Sequence, residues 1–136
     1  MRLNPHLTFN GECQAAFEFY EKFLGGKISL MMSYRDSPMA ADAPPGFSGK
    51  ILHADIALDG QILTGADALP GQYQKPQGFS IMLNSEDAAE ADRLFKALAE
   101  KGAVQLPLQE TFWALRFGML TDQFGIPWMI NCGKPA

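Results

Sequence analysis

Apolar residues in this chain follow two rhythms, a strand period of two and a helix period near 3.6, and the order of those rhythms occurs twice. Leu7-Thr8-Phe9 reads as a short strand ending at Asn10, a residue type able to cap a helix. Ala16, Phe17, Tyr20, Phe23 and Leu24 then fall on one helical face, and Gly25-Gly26 stops the helix. Strands are expected over 27–34, 51–58 and 61–66, the last two joined by Asp59-Gly60, a two-residue hairpin signal. The second pass opens with the strand Ile81-Met82-Leu83 and its own candidate cap, Asn84. It continues with the stripe Ala91, Leu94, Phe95 and Leu98, ended by Lys101-Gly102, and closes with strands over 104–108, 112–120 and 126–131.

Residue identities support the repeat. An offset of 74 pairs Asn10 with Asn84, Glu12 with Glu86, Ala15 with Ala89, Lys22 with Lys96 and Leu24 with Leu98. The chain is therefore read as two βαβββ modules, about 1–68 and about 78–136, joined by a linker at about 69–77 that carries Pro70, Gly71 and Pro76. Asp36 to Gly49 holds Pro38, Pro44, Pro45 and Gly46, too many breakers for a regular element. A loop of that length serves as a lid or partner arm, or is an excursion without a role. Pro127 cannot donate to a sheet ladder, so an edge position or a bulge is expected there.

A length of 136 residues implies one domain, large enough to fold on its own core. Eleven Lys and Arg against fifteen Asp and Glu give a net charge of -4, and with no basic run nucleic acid is not an expected partner. Cys13 and Cys132 lie near opposite ends without CxxC or Cys/His spacing, so neither a disulfide framework nor a structural zinc site is indicated. Residues 1–5 lead into no apolar leader core, and no apolar run reaches the roughly 18 residues of a membrane span. These features predict a soluble cytoplasmic protein with no membrane partner. Dinucleotide, nucleoside triphosphate and hydrolase readings have no anchor, because GxGxxG after a strand, GxxxxGK[ST], GxSxG and HExxH are all missing.

The run Gln109-Glu110-Thr111-Phe112-Trp113-Ala114, with Phe117-Gly118, Asp122, Phe124-Gly125 and Pro127-Trp128-Met129-Ile130-Asn131, resembles the PhnB-like branch of the vicinal oxygen chelate superfamily. Pro5, Phe9-Asn10-Gly11, Phe19-Tyr20, Gly25-Gly26 and His53-Ala54 extend the resemblance over nearly the whole chain. That superfamily includes glyoxalases, bleomycin resistance proteins and extradiol dioxygenases of the dihydroxybiphenyl dioxygenase kind. The resemblance implies an α+β glyoxalase/bleomycin resistance fold, in which two tandem modules form a curved mixed sheet around a central pocket, helices outside, in a homodimer. It implies less about reaction, since one fold hosts many chemistries.

In catalytic relatives a divalent ion is held by His, Gln or Glu from the first and last strands of the modules. Here the first strand offers His6, expected by parity to share with Thr8 the face opposite Leu7 and Phe9 and so to face the pocket. The position implied for a final-strand carboxylate, four residues after Gly125, is Met129, and a thioether is a poor ligand for hard or borderline divalent ions. The opening strand of the second module has no His, Glu or Asp, and the strand over 61–66 offers only Gln61 and Thr64, with Asp67 just beyond.

His53 and Asp55, two residues apart on one strand face, make either two ligands or a proton-transfer pair; otherwise they are a polar face turned to water or a dimer partner. His6 is otherwise a pocket-wall or capping histidine. Arg116 supplies a forked donor and Trp113 a flat wall for a small polar or anionic ligand, and Glu110 is the candidate general base; the competing reading packs Trp113 in the core. Methionines on predicted strands, Met31, Met32, Met82, Met119 and Met129, line either a core or an adaptable apolar wall.

The leading expectation is a small-molecule binding protein with no cofactor, its ligand touched by His6, His53, Asp55, Glu110, Trp113, Arg116 and Met129. The alternative is a lyase, isomerase or dioxygenase using one divalent metal ion relocated to His6, His53 and Glu110. A third reading gives the sheet and the 36–49 loop a role in dimerisation alone. A methyltransferase is not expected, because no glycine-rich turn follows the first strand of a parallel α/β sheet.

Overall fold

The computed structural model describes residues 1–135, and the chain divides into two compact units between Gln74 and Lys75. The division falls inside the predicted linker. Among the described residues no helix is long and apolar enough to cross a membrane.

The first unit runs β1 (His6–Phe9), α1 (Cys13–Leu24), β2 (Lys27–Ser33), β3 (Ile51–Leu58) and β4 (Gln61–Asp67). Its sheet has the order β1-β4-β3-β2, with β1 parallel to β4 and the other pairs antiparallel. The second unit runs β5 (Ile81–Ser85), α2 (Ala88–Ala99), β6 (Ala103–Gln109), β7 (Ala114–Thr121) and β8 (Pro127–Gly133), in the equivalent order β5-β8-β7-β6. Both are the predicted βαβββ module.

Each helix covers one face of its own sheet. Cys13, Ala16, Phe17 and Tyr20 of α1 are buried, with Leu7, Phe9, Ala54 and Ile56 buried on the strands. Gly65 lies directly under Phe17: a Cβ there would come within 2.7 Å of the ring. Ala91, Leu94 and Leu98 of α2 are buried alike, with Trp128, Ile130 and Cys132 buried on β8. Fully burying a large apolar side chain contributes roughly 1.5–3 kcal/mol, so these two cores carry each unit.

Several local expectations are corrected. Neither Asn10 nor Asn84 caps a helix. Glu12 sits at the N-cap of α1 without a side-chain bond, and Asp67, distant in sequence, accepts from the Cys13 N–H at 2.9 Å instead. Asp87 caps α2, accepting from the Ala89 N–H at 3.0 Å. At the end of α2 the left-handed residue is Lys101, with φ of 58°, while Gly102 is needed because a Cβ would collide with the Thr121 carbonyl. Pro127 lies on an inner strand, not an edge, and β8 accommodates it as the strand's first residue. The Asp59-Gly60 hairpin forms as expected, with φ of 47° and 79°.

The 36–49 loop contains one 3-10 turn, Ala40–Asp42. It is pinned at its base. Tyr34 and Phe47 are buried with rings edge to face at 5.4 Å, and the Tyr34 and Arg35 N–H groups donate to the Lys50 and Ser48 carbonyls.

Candidate functional site

The first sheet turns its polar chemistry away from α1. Leu7, Gly65 and Ala54 are paired in register on the helix side, so strand alternation puts His6, Thr64, Asp55 and His53 on the other. His6 pairs with Thr64 and Thr64 with Asp55, which makes one row across three strands. His6 Nδ1 lies 2.6 Å from Thr64 Oγ1, and that hydroxyl lies 3.2 Å from the Pro5 carbonyl. The two contacts fit one proton arrangement: Thr64 donates to Pro5 and accepts from His6 Nδ1–H, which leaves the His6 Nε2 lone pair free.

His53 Nε2 lies 2.8 Å from Asp55 Oδ1, and the His6 and His53 rings stack with centroids 6.0 Å apart. The predicted His53–Asp55 pair and the separately predicted His6 thus form one cluster. Burial, and then the neighbouring His53, hold the His6 pKa below the ordinary 6.5, against a smaller opposing pull from Asp55. Leu30 and Met32 of β2, registered opposite Asp55 and His53, bound the cluster with apolar surface.

The candidates of the second unit separate. Arg116 bends to the helix side, where Nε donates to Asp92 Oδ1 of α2 at 2.9 Å and an Nη donates to the Leu115 carbonyl. Its fork is already engaged. Glu110 is exposed and pairs with Lys134 at 3.3 Å. Phe112 precedes β7 rather than joining it, and Trp113 is 48% exposed, packed edge to face on Phe112 and on Phe117. The core reading of Trp113 therefore fails within this chain. Met129 lies half-buried on the face turned away from α2, registered between Met82 of β5 and Met119 of β7.

A family model described as 3-demethylubiquinone-9 3-methyltransferase matches residues 1–131. Protein YjdN of Escherichia coli (strain K12) is 36% identical, over 98% of this chain and 97% of its own length. The chain belongs to this family. Among solved structures, protein PA1353 from Pseudomonas aeruginosa is 44% identical with a TM-score of 0.92, each chain covered to 99%. The PhnB protein from Bacillus cereus, also described as a 3-demethylubiquinone-9 3-methyltransferase, is 25% identical with a TM-score of 0.83, over 98% of this chain and 100% of its own. A glyoxylase/bleomycin resistance protein/dioxygenase domain from Frankia sp. EAN1pec, 15% identical over 98% of each chain with a TM-score of 0.64, shares the fold. The chain is thus PhnB-like, with the glyoxalase/bleomycin resistance fold.

The resemblance implies a divalent ion held from the first and last strands of the modules, and in the second unit those strands offer thioethers. Met129 stands where a carboxylate is implied, and its registered neighbours Met82 and Met119 are also thioethers. In the first unit Thr64 is bonded to His6, and Asp67 accepts from the Cys13 and Ile51 N–H groups at 2.9 Å each, so its carboxylate serves the fold. Among the described residues no three His, Cys, Asp or Glu side chains converge on a common point.

Two features went unread in the sequence. Thr64 was visible only as a weak metal candidate, and its role depends on pairing with a strand 58 residues away. The methionine row needs the register of β8 against both neighbours, which no local spacing encodes.

Proposed function

We propose that this PhnB-like protein binds a small polar molecule without a divalent metal ion. The observation that carries the reading is the row His6, Thr64, Asp55, together with His53, set among apolar side chains on the open face of the first sheet. Each imidazole spends one nitrogen on a protein partner and keeps the other, His6 Nε2 and His53 Nδ1, for a ligand. A few convergent polar groups in an apolar surround are what orients a small molecule. Thioethers in place of hard donors support metal independence. Of the other residues expected to touch the ligand, Arg116 and Glu110 are engaged by Asp92 and Lys134.

The architecture speaks against the methyl transfer named in the family description. Each sheet has a single parallel pair and one helix, not the repeated strand–helix alternation of methyl-donor folds. A second reading, a lyase, isomerase or dioxygenase with one relocated divalent ion, draws on the closeness of His6 and His53. It needs a third donor, and among the described residues of the first unit Asp55 is already bonded to His53.

The test is a thermal-shift screen against phosphonates, dicarbonyl adducts and aromatic antibiotics, each with and without chelator, on protein purified without tag nickel. A true ligand at a hundredfold excess over its Kd adds about 2.7 kcal/mol. The expected result is stabilisation by one class, equal in both conditions and lost in His6→Gln. Stabilisation that requires added zinc, nickel, manganese or ferrous iron supports the relocated-metal reading instead, and no stabilisation by any class sinks the binding reading.

A further inference from the structure

Three methionines stand side by side on the second sheet. Met82 on β5 is registered opposite Met129 on β8, and Met129 opposite Met119 on β7. Neighbouring strands lie about 4.8 Å apart, so registered side chains on one face stand next to each other. The row lies on the face turned away from α2, since the helix side of the same strands carries buried Trp128, Ile130 and Leu120. It is therefore not core filler of the unit. Met82 is 46% exposed, and Met119 and Met129 are half-buried.

The surroundings are neutral. Leu106 is registered with Met119, and one step along the strands Phe117 faces Asn131, whose amide donates to Asn84 at 3.1 Å. None of these neighbours offers the imidazole or carboxylate that a zinc or manganese ion needs. A thioether is a soft, polarisable donor that selects monovalent copper over harder ions. The methionine side chain has three rotatable bonds, enough to draw sulfurs from adjacent strands toward one point.

We propose that Met82, Met119 and Met129 form a soft-cation site for monovalent copper, with silver(I) as its chemical mimic. The site goes beyond the small-molecule reading and does not depend on it, because it uses different atoms in the other unit. It has a chemical signature of its own. Thiolate and imidazole ligands must lose a proton before they bind a metal, so their affinity falls in acid. Thioethers carry no proton to lose, and this site keeps its affinity.

The experiment uses the full chain labelled at the methionine methyl groups, titrated with silver nitrate in chloride-free buffer and followed by NMR and calorimetry. With about one equivalent added, the methyl signals of Met82, Met119 and Met129 are expected to shift together, while those of Met31, Met32 and Met39 stay. Binding heat should match at about pH 5.5 and pH 7.5. The Met82→Leu/Met119→Leu/Met129→Leu variant, volume-conserving at each position, should lose that heat. Shifts spread over all methionines, no shift at all, or binding that collapses in acid would overturn the proposal. So would binding that survives in the triple variant, since it would assign the ion to Cys13, Cys132 or the histidines. The spectra of the unsubstituted protein decide the matter alone if the variant fails to fold. Small-molecule thermal shifts form a separate readout, so either reading can fall while the other stands.

Discussion

The two units share strand order, helix position and the parallel pairing of first and last strands, yet their open faces carry opposite chemistry. On the first, imidazoles, a carboxylate and a hydroxyl are linked by hydrogen bonds. On the second, thioethers and amides stand at the corresponding middle of the sheet. The helix sides, by contrast, remain alike in kind: small and aromatic residues packed under an amphipathic helix. Packing against the helix constrains only one face of each strand, and alternation leaves the other free to change. The pair of modules thus retains its fold while holding a titratable surface of imidazole and carboxylate on one sheet and a non-titrating surface of thioethers and amides on the other.

The sharpest way to test this division is through the one buried carboxylate each unit spends on its backbone. Asp122 accepts from the Phe124 and Ile126 N–H groups and from Trp128 Nε1–H at 2.8–3.0 Å, fixing the turn into β8. Asp67 accepts two backbone N–H groups and joins β4, β3 and the start of α1. A buried donor left without a partner costs roughly 1–3 kcal/mol. Asp122→Ala should therefore lose about 3 kcal/mol or more and Asp67→Ala about 2 kcal/mol, read from denaturant midpoints. Equal losses would mean that both units depend on their carboxylates alike, and a larger one at Asp67 that the first unit depends more on its own.

Much of this arrangement was legible in the residues. The repeat, both helix stripes, the Asp59-Gly60 turn and the shared face of His53 and Asp55 follow from periodicity and local turn chemistry. What escaped was set by contacts between distant segments. Asn10 has a capping side chain, but Asp67 reaches the helix start first, and that competition is invisible in the local sequence. The register shift between Ala114 and Arg116 breaks the alternation that would otherwise sort the aromatic-rich strand into two faces.

A smaller effect distinguishes the first open face by titration. Because the folded site holds the His6 pKa below 6.5, an unfolded chain binds a proton there before the folded one does. Stability contributed by neutral His6 is accordingly complete above 6.5, falls as pH drops below that value, and levels out beneath the folded pKa. NMR titration of the His6 ring should give a midpoint below 6.5. His53→Gln removes a group that lowers it and moves the midpoint up; Asp55→Asn removes the group that raises it and moves the midpoint down. A midpoint indifferent to both would show that the two rings are not electrostatically coupled, and the cluster would reduce to separate side chains.

The smallest effect belongs to Arg116, and its smallness is the point. Its partner Asp92 is half-exposed, with a side-chain accessibility of 53% against 37% for Arg116, so water screens the pair. Exposed ion pairs contribute about 0–1 kcal/mol, and Arg116→Ala should stay within that range. Since the guanidinium points to α2, the same variant should leave both the silver(I) titration and any small-molecule thermal shift unchanged. A guanidinium that instead swung to the open face on ligand binding would betray itself here, because Arg116→Ala would then weaken the ligand while Asp92→Ala, freeing the fork, would strengthen it.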